Sequence, residues 1–85
     1  MDDVNAIAIL DYLTYECASD DVELAVITIY SKAGSEITQF KNNVEYTMLG
    51  TNILVIRDST NGVDDIQYIV LSNVGSITLT IYRKG

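Results

Sequence analysis

The pattern of hydrophobic and polar positions predicts a chain made mostly of β-strands. Runs rich in Ile, Val, Thr and Tyr fill the sequence after residue 21, and Gly34, Gly50, Gly62 and Gly75 separate these runs. Glycines and asparagines at such spacing are typical of antiparallel strands joined by tight turns. We expect strands at about 22–31, 36–41, 44–49, 53–57, 66–71 and 76–82. The expected turns are Asn42-Asn43, Gly50-Thr51-Asn52, Asn61-Gly62 and Asn73-Val74-Gly75.

The exposure of each strand follows from its alternation. In 44–49 and 76–82, apolar residues alternate with polar ones, so each of these strands has one face in water. Residues 24–27, 53–56 and 68–71 are instead apolar on both faces. Such strands need cover from a helix, from a curled sheet or from a second subunit. The pattern therefore favours a homo-oligomer.

Residues 3–18 are the candidate helix. Asp2 or Asp3 can cap its first turn, and the following apolar residues recur at helical spacing. The alternation at residues 6–9 would also suit a strand, so the sequence leaves both structures open. We favour an α+β fold with one N-terminal helix packed on a curved antiparallel β-meander of five to six strands. With 85 residues, this is a single domain: residues 1–20 form an acidic helical segment and 22–85 the meander.

Charge is distributed very unevenly. The first 31 residues contain seven carboxylates and no Lys, Arg or His, so the net charge of −7 lies wholly in this third of the chain. Such a pole attracts cationic surfaces and repels phosphate backbones. It predicts a protein partner with a basic surface and argues against direct nucleic-acid binding. The alternative is a charged face that only keeps the protein in solution. The candidate partner-binding residues are Asp11, Tyr12, Tyr15, Glu16, Asp20, Asp21 and Glu23.

Several kinds of chemistry are excluded or disfavoured. The chain has no histidine, so imidazole bases and histidine-containing zinc sites are impossible. No glycine-rich phosphate loop can be fitted, and the paired carboxylates are adjacent residues, which point apart. We therefore expect no enzyme, and no catalytic, cofactor-binding or metal-binding residues. Residues 58–65 are rich in oxygen ligands but lack the EF-hand pattern, and we interpret them as a solvated hairpin loop.

The single cysteine and the lack of long apolar runs indicate the cellular compartment in which the protein is found. Cys17 cannot form a disulfide within the chain, and its acidic neighbours would raise the pKa of its thiol. We expect it to be a small buried residue of the core. The longest apolar run is residues 6–10, and the first residues lack a basic signal region. We therefore expect a cytoplasmic protein, of a cell or of a virus that infects it, with no membrane partner.

Two resemblances accompany this pattern. The order of a helix, then Ile27-Thr28-Ile29-Tyr30, a turn at Ala33-Gly34, and later Val74-Gly75-Ser76-Ile77 resembles the Sm-like small barrels, which form rings. It implies a small Sm-like or SH3-like barrel, but the RNA-contact motifs of that family are missing. The string Leu54-Val55-Ile56-Arg57-Asp58-Ser59, with the acidity and small size, is similar to phage inhibitors of uracil-DNA glycosylase. That likeness covers about ten residues.

Three functions follow from the sequence. The first is a small acidic protein-binding module, of the inhibitor kind that phages and mobile elements encode, docking on a nucleic-acid-binding surface of its partner. The second is a self-assembling structural subunit that forms a dimer or ring through its apolar strands. The third is a small-ligand binder that uses Tyr12, Tyr15, Tyr46 or Tyr68 as a stacking wall.

Overall fold

The computed structural model describes residues 1–41, 44–60 and 62–85, and within them it contains one α-helix and six strands. A short 3-10 turn, Leu71–Asn73, precedes the last strand. The elements in chain order are α1 Asp3–Cys17, β1 Val22–Ser31, β2 Glu36–Lys41, β3 Glu45–Leu49, β4 Ile53–Thr60, β5 Val63–Val70 and β6 Val74–Arg83.

The segment that the sequence left open between helix and strand is a helix. Its cap is Asp2, whose Oδ1 accepts a hydrogen bond of 2.8 Å from the backbone N–H of Asn5. This bond satisfies one of the N–H groups that a first helical turn leaves unpaired. Ala6, Leu10 and Leu13 recur at helical spacing and are buried. One stripe of α1 therefore faces the core, which the local alternation at residues 6–9 did not reveal.

The strands form two antiparallel sheets rather than one. Sheet A has the order β2-β1-β6, and sheet B has the order β3-β4-β5. The predicted single curved meander of five to six strands, and the small barrel that the Sm-like resemblance implied, are therefore wrong, although the α+β class is confirmed. The reason is that, among the described strands, β2 does not pair with β3 and β5 does not pair with β6, whereas β1 pairs with β6 in a register that runs from Val22↔Arg83 to Ser31↔Val74. Periodicity along the chain carries no information on such a pairing.

The core lies between α1 and the inner faces of both sheets. Its largest fully buried side chains are Leu10, Ile27, Ile29, Leu54, Ile56, Leu71 and Val74. The predicted alternation in β3 and β6 is confirmed, since Tyr46, Met48, Ile77 and Leu79 pack against this core. Each sheet thus has one covered face.

The hairpin between β4 and β5 is longer than predicted. Residues that we expected in a solvated loop extend the two strands, with Asp58 opposite Asp65 and Ser59 opposite Asp64. The Ser59 hydroxyl donates a hydrogen bond to the Asp64 carboxylate. Polar side chains are tolerated here because this end of the hairpin is largely exposed. The predicted turn residues Asn42, Asn43 and Asn61 lie outside the described residues.

Gly75 is not a turn residue, in contrast to the prediction. It lies in β6, where an added Cβ would come within 2.8 Å of the Ser31 carbonyl oxygen and 2.9 Å of the Lys32 Cα. The glycine is therefore needed for the close approach of β6 to the end of β1. Gly34, Gly50 and Gly62 do have positive φ angles, of 88°, 68° and 79°, as tight turns require.

Candidate functional site

The predicted binding residues lie on the second half of α1, on the segment before β1 and, in the case of Glu23, on β1 itself. Tyr12 and Tyr15 are 63% and 75% exposed, and their ring centroids are 6.3 Å apart. Asp11, Asp20, Asp21 and Glu23 are exposed, and Glu16 is half-buried. We call this set the acid–tyrosine surface: Asp11, Tyr12, Tyr15, Glu16, Asp20, Asp21 and Glu23.

Helical spacing brings Tyr12 and Glu16 together. They are four residues apart, one turn of α1, so the two side chains lie on the same face of the helix. The Glu16 carboxylate raises the pKa of Tyr12 above its usual value, through hydrogen bonding to the phenol first and through its charge second. The surface therefore presents an aromatic ring whose polar end already faces a carboxylate.

Asp11 holds the helix to sheet B. The Tyr46 hydroxyl on β3 donates a hydrogen bond of 2.7 Å to Asp11 Oδ1, and it lies 3.3 Å from Thr14 Oγ1. The bond to Asp11 raises the pKa of Tyr46. Asp11 therefore has a structural contact as well as an exposed position. Sequence reasoning missed Tyr46 in this role, because the two residues are 35 positions apart.

Asp21 is paired with a base from the other end of the chain. Arg83 Nη1 lies 2.9 Å from both Asp21 carboxylate oxygens. A hydrogen bond from the Ser19 hydroxyl, followed by that from Arg83, lowers the pKa of Asp21. The Lys84 backbone N–H also donates to the Asp21 carbonyl oxygen at 2.7 Å. Asp21 thus fastens the end of β6 to the start of β1.

The carboxylates of Glu16 and Asp20 are not neutralised in this way. Within the described part of the chain, no Lys or Arg is in ion-pair contact with Glu16 or Asp20. The first 31 residues supply no base, and the Arg83 guanidinium is engaged by Asp21. The acid–tyrosine surface therefore retains uncompensated negative charge at its centre.

Cys17 is a half-buried residue that packs against the core. Burial raises the pKa of its thiol, and the Glu16 charge adds to the effect. The predicted rise is confirmed, with Glu16 as the acidic neighbour that contributes to it, but the residue is not fully buried as predicted. A thiol with a raised pKa is a poor nucleophile at neutral pH, so Cys17 adds packing rather than reactivity.

An apolar groove of about 690 Å³ lies between α1 and β6. Its helical wall includes Ala8, Ile9 and Tyr12, and Leu79 contributes from β6. A second cavity of about 260 Å³ lies under the other side of α1, and Tyr46 lines it. We call the first cavity the α1–β6 groove; its lining residues are Met1, Asn5, Ala8, Ile9, Tyr12, Leu13, Gly75 and Leu79.

The outer face of sheet B is apolar and exposed. Tyr68 is 64% and Leu49 56% exposed, and cross-strand pairing places Tyr68 beside Val55. We call this set the sheet B face: Leu49, Ile53, Val55, Ile66, Tyr68 and Val70. The four tyrosines proposed as a stacking wall are consequently divided, since Tyr68 belongs to this face, Tyr46 to the small cavity, and Tyr12 and Tyr15 to the helix.

The fold and its surfaces define an α+β protein of two three-stranded antiparallel sheets under one acidic helix. Comparison with protein-family models, with curated proteins and with solved structures finds no match to this chain. Among residues 1–41, 44–60 and 62–85 there is no group of three or more metal-ligating side chains. The same residues include no helix with the length and apolar content needed to cross a bilayer.

Proposed function

We propose that this protein is a non-enzymatic protein-binding module that docks on a basic surface of a partner through its acid–tyrosine surface. The observation that carries the proposal is the exposed pair Tyr12 and Tyr15 beside carboxylates that no Lys or Arg of the described chain neutralises. Tyrosine is enriched at protein interfaces because its ring is apolar and its hydroxyl can hydrogen-bond. The surface therefore combines an attractive charge with contact area.

The two components have different roles in binding. The summed negative charge accelerates encounter with a cationic partner, and this acceleration decreases as salt screens the charge. The tyrosine rings bury apolar area after contact and slow dissociation. A carboxylate-lined surface of this kind also resembles a phosphate backbone in charge. The form we favour is thus an inhibitor, of phage or mobile-element type, that occupies the nucleic-acid-binding groove of its partner.

The carboxylates of the surface do not contribute equally. Asp21 is neutralised by Arg83, and the side chain of Asp11 accepts a hydrogen bond from Tyr46. Glu16 and Asp20, and Glu23 on β1, carry the charge that a partner would meet. A test of the surface should consequently leave Asp21 intact, because its removal would also loosen the contact between β1 and β6.

The proposal is tested by affinity capture from the organism that encodes the protein, with three versions of it as bait. The first is the parent. The face variant carries Asn or Gln in place of Glu16, Asp20 and Glu23, and it keeps Asp11 and Asp21 because both have structural contacts. The control variant carries the same change of charge at three acids outside the surface, Glu36, Glu45 and Asp65. We expect one basic protein that the parent and the control variant retain and the face variant loses. Equal retention of the basic protein on all three baits would mean that the acidic segment only keeps the protein in solution.

A second function, self-association through the sheet B face, is supported by the exposure of that face. Ile66, Tyr68 and Val70 form an exposed apolar row along β5. Large exposed apolar patches on small proteins commonly mark interaction sites. A second copy suits this face because the neighbouring charged residues on the same side of sheet B are of both signs, with Glu45 opposite Arg57. The helix with its carboxylates packs on the inner side of the sheets, away from such a contact.

Light scattering tests the second function. We expect a mass of at least twice the 9.4 kDa chain at micromolar concentration. Tyr68→Lys should reduce it to one chain, and Val4→Lys, which changes an exposed apolar residue on α1, should leave it unchanged. A mass of 9.4 kDa for the parent across that concentration range would exclude self-association.

A further inference from the structure

The free edge of β6 has few of the features that protect edge strands. β6 lies at the edge of sheet A, and no other described strand pairs with its second side. Its ten residues contain no proline, and Arg83 at the very end is its only charged residue. Its register with β1 is continuous from Leu24↔Tyr82 to Tyr30↔Ser76. Natural proteins usually protect a long edge with lysine, proline or a bulge, because unpaired N–H and C=O groups accept another strand.

The α1–β6 groove adjoins this edge. Leu79 of β6 and Leu13 of α1 line it, while Ala8 and Tyr12 form the helical wall. A strand added to β6 would lie about 4.8 Å from it and point every second side chain to the inner side of sheet A. Those side chains would enter the groove, whose volume of about 690 Å³ is in the range of pockets that hold ligands. The edge supplies backbone hydrogen bonds, and the groove supplies apolar contacts.

The charges at one end of β6 indicate the sign of the charge that an added strand would carry. β6 ends at Arg83, whose guanidinium is neutralised by Asp21. Tyr15, Glu16 and Arg83 line one shallow depression there, so this end of the strand opens on the acid–tyrosine surface. A second copy of this chain carries the same net charge of −7, so its charge does not complement this surface. The charge favours a cationic occupant instead.

We propose that β6 and the α1–β6 groove form a strand-addition site for an extended segment of the partner, with alternating apolar residues and a basic flank. The apolar residues enter the groove, and the Lys or Arg residues of the flank lie at the acid–tyrosine surface beyond Tyr82. This mode of recognition combines main-chain hydrogen bonds for affinity with side-chain pockets for specificity. It rests on the proposed docking to a basic partner and adds the way in which the partner is held.

The test uses the full chain and a blocked peptide of three basic residues followed by three Val-Thr repeats. One control peptide has glutamates in the flank, and another has proline at the Thr positions, which removes backbone donors. The variant Ala8→Trp fills the groove from its exposed wall. Val4→Trp is the matched control, because Val4 is 71% exposed on the same helix and does not line the groove.

We expect the basic peptide to bind and to slow hydrogen exchange of the β6 amides. Ala8→Trp and both control peptides should each weaken binding by at least tenfold, and Val4→Trp should not change it. If binding depends on the basic flank, but the peptide does not slow β6 exchange and Ala8→Trp does not weaken binding, strand addition is overturned and the proposed function stays intact. Absence of binding would overturn strand addition as well, and the capture experiment would then decide the proposed function separately. If the β6 amides are already protected from exchange without peptide, and the protein has twice the mass of one chain, a second copy occupies the edge. That result would also overturn the proposal.

Discussion

The packing of sheet B against the helix allows a quantitative prediction of the stability lost in the variant Ile56→Ala. This side chain is 1% exposed on β4, the central strand of sheet B. Ile56→Ala removes three carbon groups, each worth about 0.8 kcal/mol when buried. Transfer alone thus costs roughly 2.4 kcal/mol, and the cavity left behind adds to it. We expect a loss of about 3 kcal/mol, within the usual range of about 2–5 kcal/mol for emptying a packed site.

Urea denaturation followed by circular dichroism measures this loss. A domain of 85 residues has a total stability of roughly 4–13 kcal/mol, so the variant's midpoint should fall markedly with an unchanged slope. The matched control is Val55→Ala on the same strand, whose half-buried side chain belongs to the sheet B face. It should cost less than about 1.5 kcal/mol. A loss below about 0.5 kcal/mol for Ile56→Ala, or a larger loss for Val55→Ala, would show that the core has been assigned to the wrong face.

Two further predictions concern the ends of β6. Gly75→Ala should destabilise the fold by about 1–3 kcal/mol in thermal unfolding, because the added Cβ would meet the backbone of Ser31 and Lys32. An unchanged Tm would contradict that close approach. Arg83→Gln should raise the pKa of Asp21 toward its ordinary value of 3.8, as carboxyl NMR would show. Because this pKa is lowered in the folded state, the Asp21 contribution to stability is present above pH 3.8 and is lost as the pH falls through the folded-state pKa. An identical Asp21 titration in the variant would mean that the ion pair does not form in solution.

Local patterns were sufficient to predict most elements of the fold. Strands at 22–31 and 36–41 have the predicted bounds, and the helix begins at the predicted cap. These features depend on residues a few positions apart, where periodicity and capping act. The division into two sheets could not be predicted, because sequential strands β2 and β3, and β5 and β6, belong to different sheets while β1 pairs with β6 across some fifty residues. The extension of β4 through Asp58 and Ser59 was also missed, since polar residues in a hairpin resemble a loop in sequence.

The candidate site was predictable in composition but not in its contacts. The clustering of acids and the pair Tyr12 and Tyr15 are visible in the sequence, since all of them lie within one short segment. The partners of Asp11 and Asp21, namely Tyr46 and Arg83, are 35 and 62 positions away. No local signal indicates them. The α1–β6 groove likewise depends on how the helix is placed against the last strand, which only the structure describes.

The rate of association with the captured partner tests the central claim most directly. Stopped-flow or biosensor kinetics would compare the parent, the face variant and the control variant at low and high ionic strength. If the acid–tyrosine surface docks on a basic partner, the face variant should associate at least tenfold more slowly at low salt, with a smaller change in dissociation. The difference should shrink at high salt, where the charges are screened. Equal association rates for the face variant and the parent at low ionic strength would contradict the account.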